Sequence, residues 1–299
     1  MNRKIAAALK RDLTSWILLG PAVVCFAVVL WQPLISGLTL SFFETKGYDA
    51  VRFVGFKNYE SIVSNSEFAA ALKNTFSYTS WSLVIGYFVP LITAIILNEM
   101  VHLKAFFKFA CYFPTIIPSM ATALLWYFMF NPGKNGVLNS LLGFAGLPAS
   151  QWLQNQKLVI PLIVLTMTWR SFGGTMLIYL ASLQSINQDI YEAASIDGAG
   201  FLAKIRNITL PHIAGTAGLM LIMQIIGVFQ IFQEPMAMTG GGPNNASLSI
   251  MLSSYYYAFR YFDAGKSMAA GAIAFAILAI LTIAYRLASA RIGRGGGIA

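Results

Sequence analysis

The chain has 299 residues, of which 57% are hydrophobic and only 10% are charged, and its mean hydropathy is +0.67. A soluble domain carries roughly 25% charged residues to keep its surface in water, so a water-soluble two-domain enzyme is excluded. A disordered chain is excluded too, because such chains are poor in apolar residues and rich in charge. The composition therefore predicts a polytopic membrane protein.

Long stretches without charge predict six membrane-spanning helices. A helix needs ~20 mostly apolar residues to cross about 30 Å of hydrocarbon. Five charge-free stretches reach that length, and a sixth contains a single charge, Arg170. The apolar runs are continuous rather than alternating, which favours helices over strands. The predicted fold is all-α, a single transmembrane domain over 1–299 with spans at 14–37, 74–98, 110–131, 158–183, 213–236 and 266–288.

The two ends of the chain predict its orientation. Both termini are basic, and cations near short membrane-flanking segments favour the cytoplasmic side. An even number of spans puts both ends on one side, so both termini are predicted to be cytoplasmic. The net charge of +9 is then explained by anionic membrane lipid, and no nucleic acid is needed as a partner. The first apolar stretch is too long for a secretory signal and is expected to remain as an uncleaved span.

Nothing in the pattern indicates catalysis or a metal. His102 and His212 are far apart and have no Cys or carboxylate at ligand spacing, so no metal site is predicted. The tripeptide at 265–267 matches the end of a phosphate-binding loop, but Arg260 stands where its first glycine is required. No nucleophile–base or paired-carboxylate pattern is present either. We therefore predict no enzymatic activity and no cofactor on this chain.

Polar side chains inside two predicted spans are candidates for a solute path. Polar groups in lipid are unfavourable and tend to face a cavity or a partner helix. Arg170 lies roughly midway along the fourth span. The fifth span combines amides with an aromatic ring, a pairing that suits the hydroxyls and the apolar face of a sugar: Gln224, Phe229, Gln230 and Gln233. Two interpretations stay open for these side chains, contact with a solute or pairing between helices.

The segment 185–212, between the fourth and fifth spans, is too polar to cross a membrane and is predicted to form two short helices. Asn187 is a good cap for the first helix, and the helix breaks at Gly198. A second helix is predicted over 201–207, before Pro211 ends it. The alternative is an ordinary amphipathic surface loop.

One spacing within this segment matches a known motif. Glu192-Ala193-Ala194 is followed after three residues by Gly198 and, after nine more, by Ile208-Thr209-Leu210-Pro211. This pattern resembles the EAA motif of binding-protein-dependent ABC importer permeases. Residues 53–59 resemble the VGxxNY segment, and residues 238–243 the MTGGGP loop, of MalF-type sugar permeases. The chain is identified as a MalF-like permease subunit of a carbohydrate importer.

The resemblance implies a fold and a set of contact residues. The fold is that of a type I ABC importer permease, in which the loop over 185–212 couples to an ATPase. The implied ATPase-coupling residues are Glu192, Ala193, Ala194, Asp197, Gly198, Leu210 and Pro211. The implied contacts with the solute-binding protein are Gly240, Gly241, Gly242 and Pro243.

The resemblance also implies partners. They are a second, paralogous permease, two ATP-binding subunits that hold ATP and Mg, and an extracytoplasmic solute-binding protein. The expected location is the bacterial inner (plasma) membrane. In this family the fifth helix contributes to the solute site. The resemblance implies a sugar or oligosaccharide as cargo.

Three alternatives stay open from the sequence. The first is an ABC permease for glycerol phosphate or a polyol. The second is an ion-coupled secondary sugar transporter, although such proteins need intramembrane acids or an inverted repeat. The third is a membrane scaffold without a transport path. Co-purification with an ATPase, and uptake that responds to ATP depletion but not to a protonophore, would separate an ABC permease from the last two, and a transport or binding assay with the cognate binding protein would identify the solute.

Overall fold

The computed structural model describes residues 13–134 and 136–295. The chain divides into two compact units, Met1–Ile62 with Ser254–Ala272 and Val63–Ser253 with Ile273–Ala299, each taken over its described residues. Helix dominates both units, as the composition predicts. The helices in chain order are α1 (Leu13–Phe26), α2 (Gln32–Leu40), α3 (Lys57–Val63), α4 (Ser66–Trp81), α5 (Phe88–Glu99), α6 (Lys104–Ile116), α7 (Ser119–Met129), α8 (Val137–Phe144), α9 (Val159–Gln184), α10 (Gln188–Ile196), α11 (Phe201–Lys204), α12 (Leu210–Phe229), α13 (Gln233–Thr239), α14 (Ile250–Phe259) and α15 (Ala264–Gly295).

A small β-hairpin in the first unit departs from the all-α prediction. Strands β1 (Phe43–Lys46) and β2 (Asp49–Phe53) pair antiparallel. Gly47 has a φ of +66° in the turn between them, a conformation that glycine adopts without strain. Phe43 and Phe53 face each other across the strands with ring centroids 5.4 Å apart, and such cross-strand aromatic pairs stabilise a hairpin.

The second unit is built around α9. This helix contacts α4, α5, α6, α7, α12 and α13. Its buried apolar side chains, among them Ile163, Val164, Met176 and Leu180, are the centre of two hydrophobic clusters. The predicted span 158–183 therefore agrees closely with α9, which is covered by other helices along most of its length.

Within the described residues, four helical stretches are long and apolar enough to cross a membrane. They are Ser15–Leu40, Ser66–Glu99, Phe201–Phe229 and Ala264–Ser289, and π-helical turns join the helices in the first three. The pair α6 and α7 would be a fifth crossing if it is counted as one span. Helix α9 is not in this set. The six predicted spans are thus matched in part.

The third predicted span, 110–131, is wrong as one continuous helix. The chain bends by 98° between α6 and α7. Ile117 is extended, with ψ at +130°, and Pro118 follows it. The ring of a proline disfavours helical geometry in the preceding residue, so α6 ends there and α7 begins anew.

The fifth predicted span, 213–236, is wrong at both ends. The helix already begins at Phe201 and ends at Phe229, and α13 follows after a break of three residues. The Gln230 side chain donates to the Ile226 carbonyl at 3.2 Å, which satisfies one of the carbonyls left free at the end of a helix.

Candidate functional site

The segment 185–212 begins with a capped helix and a left-handed turn. The Asn187 side chain accepts a hydrogen bond from the backbone N–H of Asp189 at 3.1 Å, which caps α10. After α10 ends, Gly198 adopts a φ of +76°. The Ala199 N–H donates to the Ala194 carbonyl at 2.8 Å and closes the helix end. The predicted cap and the predicted break at Gly198 are both confirmed.

Pro211 does not end the second helix, contrary to the prediction. The chain from Phe201 to Phe229 is one helical stretch of 29 residues, with a π-helical turn at Ile205–Thr209 just before the proline. A proline cannot donate to the carbonyl four residues earlier, and its ring crowds that carbonyl. The wider π turn accommodates both effects. The loop is therefore continuous with the long apolar helix that follows.

The seven predicted coupling residues lie at two ends of this loop. Five are in α10 and the turn after it, and two are at the start of α12: Glu192, Ala193, Ala194, Asp197, Gly198, Leu210 and Pro211. Ala194 is half-buried, and the others are exposed. Two apolar side chains beside them are also exposed, Ile196 by 88% and Leu202 by 77%. An acidic helix flanked by exposed apolar residues is suited to contact another protein.

Hydrogen bonds hold α10 against the long helix. The hydroxyls of Tyr191 and Thr209 lie 2.8 Å apart. Ser195 donates to the Tyr191 carbonyl at 2.7 Å, and the Lys204 ammonium donates to the Ser195 hydroxyl at 2.6 Å. The orientation of α10 is thus tied to the first turns of the stretch Phe201–Phe229.

A groove beside the loop was not predicted from the sequence. It encloses about 500 Å³ and is lined by the turn between α5 and α6 and by the loop, including Glu99, Lys104, Tyr191 and Lys204. Lys104 donates to the Asn98 carbonyl at 3.1 Å, which fixes one wall of the groove. No single motif carries a signal for this groove, because its walls are about a hundred residues apart in the chain.

An open polar cavity of about 300 Å³ is lined by α9, α12 and α13 in the second unit. It brings together four of the five predicted solute-path residues: Arg170, Gln224, Gln230 and Gln233. The fifth, Phe229, is buried elsewhere, where its ring meets that of Phe76 edge-to-face at 5.5 Å. Met167, Ser171 and Met223 complete much of the lining and were not singled out from the sequence.

Arg170 has an acidic partner in this cavity. Its guanidinium lies 3.7 Å from a carboxylate oxygen of Glu234, whose side chain is 9% exposed, against 29% for that of Arg170. The Arg170 Nε is buried and has no hydrogen-bond partner among the described residues. A charge at this depth was expected to need a partner or a cavity, and Arg170 has both. Glu234 itself was not predicted as a site residue.

The loop after α13 carries the four predicted binding-protein contacts: Gly240, Gly241, Gly242 and Pro243. Gly240 and Gly241 have φ values of +58° and +86°, and the Gly242–Pro243 peptide bond is cis. The Asn74 amide donates to the carbonyls of Asn245 and Leu248, at 2.6 and 3.1 Å. The Tyr78 hydroxyl donates to the Ser247 carbonyl at 3.0 Å. These bonds anchor the loop to α4.

Within the ranges 13–134 and 136–295, no group of three or more His, Cys, Asp or Glu side chains is arranged to hold a metal ion. The sites are therefore built from amides, one ion pair and exposed loop residues. Such groups bind and orient partners or solutes.

Comparison with known proteins shows the family to which the chain belongs. The sequence model of the family described as "binding-protein-dependent transport system inner membrane component" matches residues 67–294. The chain is 31% identical over 283 residues to the arabinooligosaccharides transport system permease protein AraP of Bacillus subtilis, which covers 94% of this chain and 90% of that protein. It is 31% identical over 272 residues to the trehalose/maltose transport system permease protein MalF of Thermococcus litoralis, covering 91% and 92%.

A solved structure agrees with the fold. A chain of a bacterial alginate ABC transporter, crystallised in complex with an alginate pentasaccharide-bound periplasmic protein, matches with a TM-score of 0.85 at 25% identity. The match covers 96% of this chain and 97% of that chain. Both the helical fold and the MalF-like sequence resemblance are thereby confirmed. This chain belongs to the binding-protein-dependent transport system inner membrane components, as a membrane permease of the sugar ABC type and a transport component rather than an enzyme.

Proposed function

We propose that this chain is one of two permease subunits of an ATP-driven importer of a sugar or oligosaccharide, and that it forms half of the translocation path. The observation that carries the proposal is the continuous helical stretch from Phe201 to Phe229. One end of this stretch belongs to the exposed loop, and the other end lines the polar cavity with Gln224. A displacement of the loop is therefore transmitted along a helix to the cavity wall.

The loop is the contact with an ATPase subunit in this proposal. Two ATP-binding subunits hold ATP and Mg, and their closure displaces α10. The loop must bind the open and closed ATPase with different affinity, because only a differential affinity shifts a conformational equilibrium. The exposed acid Glu192 and the exposed Ile196 support the proposal, because both side chains of α10 are open to a partner protein.

The cavity is the solute site of this subunit in the same proposal. Arg170, Gln224, Gln230 and Gln233 supply donors and acceptors for hydroxyl groups. The names of the relatives support a carbohydrate, since they are permeases for arabinooligosaccharides and for trehalose and maltose, and the structural neighbour imports alginate. Phe229 does not line the cavity in this proposal. Its buried ring packs against that of Phe76 and supports the cavity wall.

The full assembly adds a paralogous permease and an extracytoplasmic binding protein. The four long apolar stretches, together with α9 and with α6 and α7 as one broken span, make six spans. Both termini are then cytoplasmic, with the loop over 185–212 on the same side. The segment Gly240–Pro243 is then outside, where it contacts the binding protein that delivers the solute.

Substitution of Glu192 tests the ATPase contact. Glu192→Ala removes one partner of a proposed charge pair, and such a truncation costs on the order of 2–5 kcal/mol when the remaining charge is desolvated. We expect normal membrane insertion, less ATPase in the purified complex and loss of uptake. Asp189→Asn is the control, because Asp189 is also an exposed acid on the same helix and asparagine can still accept the hydrogen bond from the Asn187 amide.

The measurements are ATPase content after affinity purification and uptake of labelled sugars into proteoliposomes. Uptake should stop when ATP is withdrawn and continue with a protonophore, which separates the proposal from a secondary transporter. Wild-type ATPase content and wild-type uptake in Glu192→Ala would contradict the coupling role. An equal defect in Asp189→Asn would mean that overall charge, and not Glu192, holds the ATPase.

A further inference from the structure

The charges of the cavity balance each other. Among the described residues that line it, Arg170 and Glu234 are the two that carry a formal charge, and they face each other at 3.7 Å. The remaining polar lining consists of Ser171 and the amides of Gln224, Gln230 and Gln233, which are neutral. The formal charge of the lining is therefore zero.

The pair leaves both partners with hydrogen-bonding capacity. At 3.7 Å, the contact is an ion pair and is too long for a hydrogen bond. Among the described residues, neither the Arg170 guanidinium nor the Glu234 carboxylate makes a side-chain hydrogen bond, and the Arg170 side chain is 29% exposed, so both groups keep hydrogen-bonding positions for a solute. A hydroxyl group both donates and accepts, so a neutral saccharide can bond to both side chains without separating them.

An anionic solute meets a different environment. A carboxylate or phosphate that approaches Arg170 also approaches Glu234, and two like charges within a few ångströms repel each other. The Glu234 side chain is 9% exposed, so water does little to screen that repulsion. Binding would also leave one net negative charge beside the buried Glu234 carboxylate, which is unfavourable without a further cation.

We propose that Glu234, by neutralising Arg170, makes this cavity selective for neutral saccharides and against anionic ones such as uronates and sugar phosphates. The inference rests on the proposed function, because it takes the cavity to be the solute site. It assigns Glu234 as a specificity-determining residue, in addition to the amides that bind hydroxyls.

Direct binding to the purified importer, with the solute-binding protein left out, tests this selectivity. A panel of neutral trisaccharides that includes maltotriose is compared with trigalacturonate and glycerol 3-phosphate. The wild-type complex is expected to bind a neutral trisaccharide and to bind both anions at least about tenfold more weakly, a difference of about 1.4 kcal/mol. Glu234→Gln keeps the shape of the side chain and removes its charge. It is expected to strengthen trigalacturonate binding by about tenfold or more, in a salt-dependent manner.

The double variant Arg170→Gln with Glu234→Gln is the matched control. It also has an uncharged cavity, so it should discriminate against anions as the wild type does and should not gain trigalacturonate binding. The double variant also avoids the unpaired buried cation that Glu234→Gln alone would leave. Size-exclusion chromatography of both variants reports whether they assemble. If Glu234→Gln does not assemble, the wild type and the double variant still decide the selectivity.

The outcomes separate the two proposals. If wild-type importer binds trigalacturonate as tightly as any neutral trisaccharide, the selectivity inference is overturned and the sugar-permease proposal stands. If Glu234→Gln assembles and shows no gain for either anion, Glu234 is not the determinant. If no sugar of either class binds any form of the complex, the cavity is not the solute site and the proposed function loses its support.

Discussion

Gly198 and Gly200 are two residues apart in the proposed coupling loop, yet they differ in backbone conformation. Gly198 has a φ of +76°, and Gly200 has a φ of −71° at the N-cap of α11. Neither would bring a new Cβ into contact with another atom, so a substitution at either position tests the backbone alone. An L-residue in the left-handed region costs roughly 1–2 kcal/mol.

We therefore expect Gly198→Ser to reduce ATPase content and uptake, because strain at the end of α10 shifts Glu192. Gly200→Ser should leave both near wild type, since serine is a favourable N-cap and an extended φ suits it. Comparable defects in both variants would indicate that the loop does not tolerate side chains in general. Wild-type behaviour of Gly198→Ser would show that the left-handed turn does not set the position of the helix.

Arg170 and the three cavity glutamines could be predicted from the sequence, since a polar residue inside an apolar stretch is visible locally. The partnership of Arg170 with Glu234 could not. Glu234 reaches the cavity because α12 ends at Phe229 and α13 then contacts α9. The two residues are 64 apart in the chain, so no local pattern carries a signal of their contact.

Helix α4 holds the loop that follows α13. The Asn74 amide donates two hydrogen bonds to backbone carbonyls, those of Asn245 and Leu248. Asn74→Asp keeps the size of the side chain, but an ionised carboxylate cannot donate and would face two carbonyl oxygens. Leaving such groups unsatisfied costs roughly 1–3 kcal/mol. We expect a lower midpoint of thermal unfolding and weaker capture of the binding protein.

Asn155→Asp, just before α9, is the matched control for Asn74→Asp. The Asn155 side-chain oxygen accepts a hydrogen bond from the Lys157 N–H at 2.9 Å, and a carboxylate accepts it equally well. Its thermal midpoint should therefore stay near that of the wild type. If Asn74→Asp is as stable as Asn155→Asp, the anchoring role of Asn74 is wrong.

Elements whose limits depend on local composition agreed best with prediction. Helix α9 differs from the predicted 158–183 by one residue at each end. The break between α6 and α7 lies at Pro118, a local signal that the prediction of 110–131 set below the continuous apolarity of the stretch. The β1–β2 hairpin was missed because its strands are four and five residues long beside dominant helical signals.

The number of crossings is a property of the whole molecule, and it reaches six only if both α9 and the pair α6–α7 cross. Its sequence is less apolar than that of the four long stretches, because it carries Thr166, Thr168 and Arg170. The two threonines are buried, and Arg170 is paired with Glu234. A helix covered by protein does not need the lipid-facing apolarity that a span on the periphery needs. We therefore expect α9 to cross the membrane.

Three single-cysteine variants test the crossings of α9 and of the pair α6–α7 at once. In a full chain with Cys25 and Cys111 replaced by serine, His102→Cys precedes α6, Lys157→Cys lies between α7 and α9, and Gln188→Cys follows α9. We expect an impermeant maleimide to label intact cells only at Lys157→Cys, and to label the other two after the membrane is opened. If Lys157→Cys and Gln188→Cys react from the same side, α9 does not cross. If His102→Cys and Lys157→Cys react from the same side, the bent pair α6–α7 is a re-entrant loop. The six-span topology then fails.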